Sequence, residues 1–577
     1  MSQLTTEQKS VNELFGNRNA DFLIPDYQRP YAWTVDECET LWEDIFAFAF
    51  PNDDCEAFKS SDKYFLGPIV TFKNEDDQSE VIDGQQRLTT VLLLLRAFYD
   101  SFAKMKDPKA RKMYETIEQC IWKTDEFGYP LKDQLKIDSE VASDDDKEEF
   151  LQILKEGEVN PSWKSSYAVN FRFFQKKIDQ LLHDYSSYLY LYVARLLNNV
   201  ILLPIEAESQ DTALRIFSTL NDRGLPLSDA DIFKSQFYKF YSNRGEKDGF
   251  IERWKDLEEI TGDIFHPLKG TPMDELFSRY MYYLRARKGI KNTTTTGLRD
   301  FYSDNNYAAL KDKKTLDDLE VLARFWKRVD SFDGFSERVA KELYVLNFAP
   351  NNMWTYLVSV YFLAERDSSG ELNDEKFYQF LRLITGFIYA YAINRPGVNS
   401  LRSPVYPEMI NIVEGRAVTF ADYRFNREDI SNRFHSYEFT NQRPVTKSIL
   451  VWWAFVRSDQ GILETDSKIE IEHIYARKRN EGAALSNPAL VESLGNKAIL
   501  ESRINIRASD YRFEDKKRYY LGYTDAKGNK KEPTFNKELV ELAKTKDDFT
   551  EEDIVERTNL IIDSFVDYLG NLWLLQD

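Results

Sequence analysis

Between residues 80 and 98 the hydrophobic period changes abruptly. Glu80-Val-Ile-Asp83 reads as a strand, Gly84-Gln-Gln-Arg87 is polar, and Leu88 to Phe98 is a strongly apolar helix. Upstream, Tyr64 to Phe72 is short, apolar and β-branched, a second strand. Residues 24–33, Ile-Pro-Asp-Tyr-Gln-Arg-Pro-Tyr-Ala-Trp, are held extended by two prolines. Thr34-Val-Asp-Glu37 is a capping box ahead of a helix carrying Leu41, Trp42, Ile45 and Phe46. The first hundred residues therefore alternate strand and helix around two polar motifs, which excludes an all-helical or all-β start.

Further along, Val200 to Ile205 is another apolar strand. Ala213 to Leu220 reads as a helix stopping at Asn221-Asp-Arg-Gly224, with Gly224 as its left-handed terminator. Ser228-Asp-Ala-Asp231 starts the next helix, and the pattern stays helical to about residue 420. Its aromatic stripes, such as Trp354, Tyr356, Tyr361 and Phe362, read as core. The acidic stretch Asp133 to Glu149 reads as a solvated loop or helix end rather than a metal site. At roughly 150 residues per domain, 577 residues make three to four units. The expected class is α+β, mainly helical and multidomain, divided at residues 1–240, 241–425 and 426–577.

Composition narrows the function. A net charge of −20 excludes a protein that coats nucleic acid, so any DNA contact needs a local basic face. Three cysteines, Cys38, Cys55 and Cys120, exclude a disulfide framework or a Cys-rich zinc site and fit a reducing cytoplasm. The polar N-terminus shows no secretory signal. Leu383 to Ile393 is too short to span a bilayer, which takes about 20 residues, so no membrane partner is expected. One segment reverses the charge: residues 473–531 hold 13 Lys or Arg against seven acids. An ordinary solvated basic helix is the plain reading; a nucleic-acid face is the other.

That basic segment adjoins a chemically suggestive series. Lys468 to His473 alternates as a strand ending at one of only four histidines. Leu494-Gly-Asn-Lys-Ala-Ile-Leu500 is a turn and a second strand, Asn505 follows, and Asp510 to Tyr520 reads as a basic amphipathic helix. Phosphodiester hydrolysis needs a base titrating near neutrality, which His473 supplies. It also needs a divalent cation on hard oxygens, for which Glu472 and Asn505 suit Mg²⁺. Asn496 suits holding the loop or orienting the imidazole. Strand alternation objects, because it puts Glu472 and His473 on opposite faces unless the strand ends or bulges there. A rival nuclease pattern, Asp510 with Glu514-Asp-Lys516, falls inside the same helix.

At the other end no Gly-x-x-x-x-Gly-Lys and no Gly-x-Gly occurs, so P-loop and Rossmann sites are excluded. Asp83-Gly-Gln-Gln-Arg87 nevertheless offers an anion the free N–H groups of a strand-to-helix turn and a guanidinium fork. A structural Arg–Asp pair in a turn accounts for the same residues.

The Glu-His-Ile, Leu-Gly-Asn-Lys-x-x-Leu and Asn505 pattern, with Phe513 and Lys516 beyond, resembles the HNH or ββα-metal nuclease module, most closely the C-terminal domain of GmrSD-type type IV restriction enzymes. The resemblance implies a catalytic set of His473, Asn496 and Asn505, with His473 as base, Glu472 and Asn505 as metal ligands and Asn496 structural. Lys497, Arg503, Arg507, Arg512, Lys516 and Lys517 are then the expected DNA contacts. Gln28-Arg-Pro-Tyr-x-Trp33, Asp83-Gly-Gln-Gln-Arg87 and Phe217-x-x-Leu-Asn-x-Arg-Gly224 together resemble the N-terminal domain of the same family, which is similar to the ParB/sulfiredoxin fold and handles nucleoside triphosphates. That implies a nucleotide site of Gln28, Arg29, Asp83, Gly84, Gln85, Gln86, Arg87, Asn221 and Arg223. The implied protein is a cytoplasmic, Mg²⁺-dependent, modification-dependent DNA endonuclease directed at phage DNA and regulated by NTP, with a homo-oligomer allowed. The alternatives are an NTP-dependent DNA-binding regulator with an inactive HNH site, or an RNA-cleaving toxin.

Overall fold

The computed structural model describes residues 7–141, 146–186, 188–209, 212–213, 216, 228–294, 296–395, 397–462, 468–508, 512–525 and 527–576, the side chains of 53, 398 and 399 aside. Most of the expected 213–220 helix, Asn221, Arg223, Gly224 and Asp510 lie outside these residues. The chain divides into two compact units, Met1–Asp256 and Leu257–Asp577. Both helix and sheet are present, as expected of an α+β chain. No helix among the described residues is long and apolar enough to cross a membrane.

The first unit is built on a six-stranded mixed sheet. Its strands are β1 (Lys9–Ser10), β2 (Phe22–Ile24), β3 (Tyr64–Lys73), β4 (Ser79–Asp83), β7 (Ile137–Ser139) and β8 (Val200–Ala207). Their order is β1-β8-β3-β4-β2-β7; β3–β4 and β1–β8 run antiparallel, the other pairs parallel. A separate hairpin, β5 (Trp122–Thr124) with β6 (Pro130–Leu135), precedes β7. The helix after β4 spans Gln85–Ala103 and is buried on nearly every side, from Leu88 to Tyr99. Helix Val35–Ala49 carries the expected Thr34–Glu37 capping box and buries Leu41, Trp42 and Ile45. Trp42 stacks on Tyr192 at 4.7 Å between ring centroids.

The acidic stretch, expected as a solvated loop or helix end, ends in a helix start as expected but begins in strands. Residues 137–139 form the edge strand β7, and Lys147–Glu156 is a helix. Fully buried Lys136 explains the change: its ammonium donates to the carbonyls of Phe15 at 2.7 Å and Asn17 at 2.6 Å. Those long-range bonds fix a segment whose local composition favours solvent.

In the second unit, helices Pro272–Arg287, Lys313–Ser331, Glu337–Leu346, Met353–Glu365, Asp374–Asn394 and Arg402–Val413 pack on one another, several through aromatic side chains. Phe362 stacks on Phe325 and Tyr361 on Phe380, each pair at 4.0 Å. Trp326 donates its indole N–H to Ser359 at 2.9 Å. The C-terminal helix Glu551–Asn571 joins these helices, Tyr568 donating to the carbonyl of Arg382 at 3.0 Å. Strands β9 (Ile469–His473) and β10 (Lys497–Glu501) pair antiparallel, and helices Ser502–Ala508 and Phe513–Leu521 follow. The first of these helices is absent from the sequence reading; it places Asn505 inside a helix of its own.

Candidate functional site

The β9–β10 register sets the C-terminal site. His473 stands opposite Lys497, Ala498 opposite Glu472, and Leu500 opposite Glu470. Directly opposed side chains share a sheet face and neighbours along a strand alternate. His473 and Lys497 therefore lie on one face, Glu472 and Glu470 on the other.

On the first face, Lys497 is fully buried. It donates to Glu492 at 2.6 Å, to Asn441 at 2.9 Å and to the carbonyl of Phe439. Arg477 Nε donates to Glu492 Oε1 at 2.8 Å. His473 Nε2 lies 3.4 Å from the same oxygen. Desolvation, reinforced by the charges of Lys497 and Arg477 and opposed by Glu492, pushes the imidazole down to about 4. His473 is thus neutral at neutral pH and free to accept a proton, but it titrates well below the near-neutral range expected from the sequence and is a correspondingly weaker base. Against its own desolvation cost, Glu492 is held at about 2 by Lys497, His473 and Arg477.

On the opposite face, Glu472 is buried in contact with the second helix. Lys516 donates to it at 2.7 Å and the Tyr520 hydroxyl at 2.6 Å. Burial raises its pKa and Lys516 opposes the rise. The alternation objection therefore describes the folded strand, and Glu472 is committed to a structural ion pair. Glu470, two residues earlier, accepts from Asn505 and Ser502, each at 2.9 Å. The Asn505 and Ser502 bonds hold its pKa low, against a small desolvation cost. Among the described residues no group of three His, Cys, Asp or Glu side chains is placed to hold a metal. The Glu470 carboxylate is met by two hydrogen-bond donors, the Asn505 amide nitrogen and the Ser502 hydroxyl.

Asn496 is fully buried and clamps the turn. Its carbonyl accepts from the Tyr475 N–H at 2.6 Å, and its amide donates to the carbonyls of Tyr475 at 3.0 Å and Val491 at 2.9 Å. Arg557, from the C-terminal helix, donates to the carbonyls of Leu494, Gly495 and Lys497 while Glu538 holds its other nitrogens at 2.7 Å. The sequence reading missed Arg557 and Glu538, which nothing local connects to the motif, and Glu492, which adjoins the motif but whose approach to His473 is set only by the fold.

The basic island divides on folding. Arg503, Arg507 and Arg512 are exposed, and Lys517, half-buried, donates to the carbonyl of Lys546 at 2.7 Å. Lys497 and Lys516, both expected at DNA, are instead fully buried. Each neutralises a glutamate and satisfies carbonyls, so neither ammonium reaches a phosphate in this fold.

In the first unit, Gly84 begins the Gln85–Ala103 helix at φ 97°, and the Asp83 carboxylate accepts from its N–H at 2.7 Å. Arg87 pairs with Asp83 at 3.4 Å and donates to the carbonyl of Pro68. Desolvation raises the pKa of Asp83, opposed by Arg87 and by nearby Arg29. The glutamines tie this turn to the proline-bounded segment. Gln28 donates to the carbonyls of Val81 and Ile82, Gln85 to that of Arg29, and Gln86 to that of Pro30; Gln86 also accepts from Ala32 N–H at 2.8 Å. Buried Gln85 Oε1 has no hydrogen-bond partner among the described residues. The two polar motifs thus form one assembly in which Arg29, Asp83, Arg87 and Gln85 converge.

A search of curated proteins finds no match. The family description for the GmrSD restriction endonuclease N-terminal domain matches residues 11–238, and that for the GmrSD restriction endonuclease C-terminal domain matches residues 424–564. The two matches cover the two motif assemblies, in order, and more than half of the chain. The chain belongs to the GmrSD family of restriction endonucleases.

Proposed function

We propose that the protein is a modification-dependent DNA endonuclease of the type IV kind, cleaving phosphodiesters with an HNH-type site in its C-terminal unit and governed by a nucleoside triphosphate bound at the Asp83–Arg87 turn. The observation that carries the nuclease reading is His473 at the end of β9, kept neutral by burial and braced by the Asn496 clamp, with two helices following β10. A neutral imidazole accepts the proton of the attacking water.

Glu470 and Asn505 carry the hard oxygens that would hold a divalent cation, the Asn505 oxygen doing so once its amide turns from donating to Glu470, while Lys516 occupies Glu472. Such a cation supplies charge stabilisation to the phosphate and the leaving oxygen. Exposed Arg503, Arg507 and Arg512 supply the phosphate attraction that the rest of an acidic chain withholds. At the turn, a helix start with Gly at its head presents N–H groups without intrahelical acceptors. Gln85 Oε1, buried and unpartnered, is an acceptor beside these donors, suited to a hydroxyl or amino group of the nucleotide rather than to its phosphates.

The test incubates the purified chain and its His473→Ala variant with Mg²⁺ and plain DNA, modified phage DNA or RNA, with and without NTP. His473→Ala is expected to lose cleavage by roughly 10²–10⁴-fold while NTP hydrolysis persists. Undiminished cleavage by the variant overturns the HNH assignment. Cleavage of RNA alone selects the toxin alternative, and a wild type that binds DNA without cutting it selects the regulator.

A further inference from the structure

The imidazole of His473 has two chemically different nitrogens, and the structure treats them differently. Nε2 is sealed from solvent and has no hydrogen-bond partner among the described residues; Nδ1 is not sealed in this way. The acceptor beside Nε2 is Glu492 Oε1, at 3.4 Å. That carboxylate is itself fixed from two other directions, by Lys497 Nζ at 2.6 Å and by Arg477 Nη2 at 2.6 Å. Lys497 in turn occupies the ladder position opposite His473, and its remaining bonds go to Phe439 and Asn441. Glu492 therefore has little freedom to turn away from the ring.

A carboxylate fixed beside an imidazole nitrogen that is itself sealed from solvent decides which nitrogen carries the proton, even though the Glu492 side chain is 35% exposed. We infer that Glu492 is the positioning residue of the nuclease site: it holds His473 with the proton on Nε2 and leaves the Nδ1 lone pair as the base. This rests on the nuclease reading above. In the step so arranged, the water oxygen bonds to phosphorus and its proton passes to Nδ1. The P–O3′ bond breaks with its electron pair on oxygen, and the 3′ oxygen takes a proton from solvent. The imidazolium formed then carries its positive charge beside Glu492, which stabilises it, and loses the Nδ1 proton to solvent before the next turnover. No bond to Glu492 forms or breaks. The 3.4 Å separation shortens as the ring becomes charged, as hydrogen bonds of this kind do on the way to a transition state.

The experiment uses the full chain labelled with ¹⁵N in its histidine rings, four in all, with His473→Ala identifying the His473 signals by their loss. Long-range ¹H–¹⁵N correlation at neutral pH reads the tautomer directly, and kcat and KM for cleavage are measured in parallel. The expected wild-type result is a neutral ring protonated on Nε2. Glu492→Ala is expected to give a mixture of tautomers and a kcat lower by about 10–100-fold with KM nearly unchanged. Glu492→Gln, which keeps an acceptor oxygen and the side chain's volume, is expected to retain the Nε2–H tautomer and part of the rate. A wild-type ring protonated on Nδ1 overturns the inference, and so does an unaltered tautomer and kcat in Glu492→Ala. If Glu492→Ala fails to fold, loss of the Nε2–H tautomer in Glu492→Gln overturns it instead. A Glu492-dependent Nε2–H tautomer in a chain that cuts no nucleic acid supports the positioning and removes the nuclease reading.

Discussion

His473 couples the site to the stability of the unit that holds it. Its folded-state pKa of about 4 lies below the ordinary value of 6.5. Protonation therefore favours the unfolded chain: the contribution is complete above pH 6.5 and lost as pH falls through 4. With the side chain only 11% exposed, that window is worth about 3 kcal/mol. Glu492, also depressed, adds to the loss below pH 4.5. Urea unfolding between pH 7.5 and 4.5 should show the second unit losing stability, and His473→Asn should flatten the change above pH 5. The same scale separates Glu472 from catalysis. Lys516→Met leaves the Glu472 carboxylate buried without its cation, which should cost about 3–5 kcal/mol, and adding Glu472→Gln should recover much of it. Because the pair is structural, Glu472→Gln alone should leave the Mg²⁺ dependence of cleavage in place. A shifted Mg²⁺ titration would return Glu472 to the ligand set.

Two turns depend on glycine for reasons seen only in three dimensions. At Gly84, φ is 97° and an added Cβ would lie 3.1 Å from Ile69 Cγ1 and 3.3 Å from the Pro68 carbonyl oxygen. Gly84→Ala should therefore cost about 1–2 kcal/mol from backbone conformation alone and rotate the first helical turn that carries Gln85 and Arg87. Nucleotide affinity should fall with it, measured by calorimetry against the wild type. At Gly495 the obstacle is backbone of the C-terminal helix: the Ile554 carbonyl, and Thr558 N at 2.7 Å. Gly495→Ala should displace that helix from the Asn496 turn, and with it Arg557, which satisfies three carbonyls there. The expected readout is a lower unfolding midpoint for the second unit, larger than that of Gly84→Ala for the first. Local backbone strain can relax by a small rotation, whereas two packed main chains cannot both give way.

For the molecule as a whole, an acidic chain must bind DNA through a few exposed cations. Each phosphate contact contributes about 0.9 to the slope of log affinity against log salt. Replacing Arg503, Arg507 and Arg512 together by Gln should reduce that slope by up to about 3, and should weaken binding alike across DNA sequences. Lys497→Met should instead lower stability, since its ammonium is buried against Glu492. A salt titration of the two variants distinguishes them.

Local pattern determined most of the elements that carry the motifs. The strand into Gly84, the buried helix after it, the capping boxes at Thr34 and Ser228, and strands β9 and β10 all follow from hydrophobic period and cap chemistry within about ten residues. The alternation of β9 even separated Glu472 from His473 before any fold was known, because a period of two is a property of the backbone. What sequence does not carry is partnership across the chain. Lys136 reads as one more charge in an acidic loop or helix end until its ammonium is taken up by the carbonyls of Phe15 and Asn17. Lys497 and Lys516 count equally with Arg503 in a basic island, yet burial against Glu492 and Glu472 removes them from its surface. Glu492, Glu538 and Arg557 have no motif at all. Their roles arise because tertiary packing brings a carboxylate to an imidazole and a guanidinium to three carbonyls of one turn, where desolvation makes each contact costly to lose.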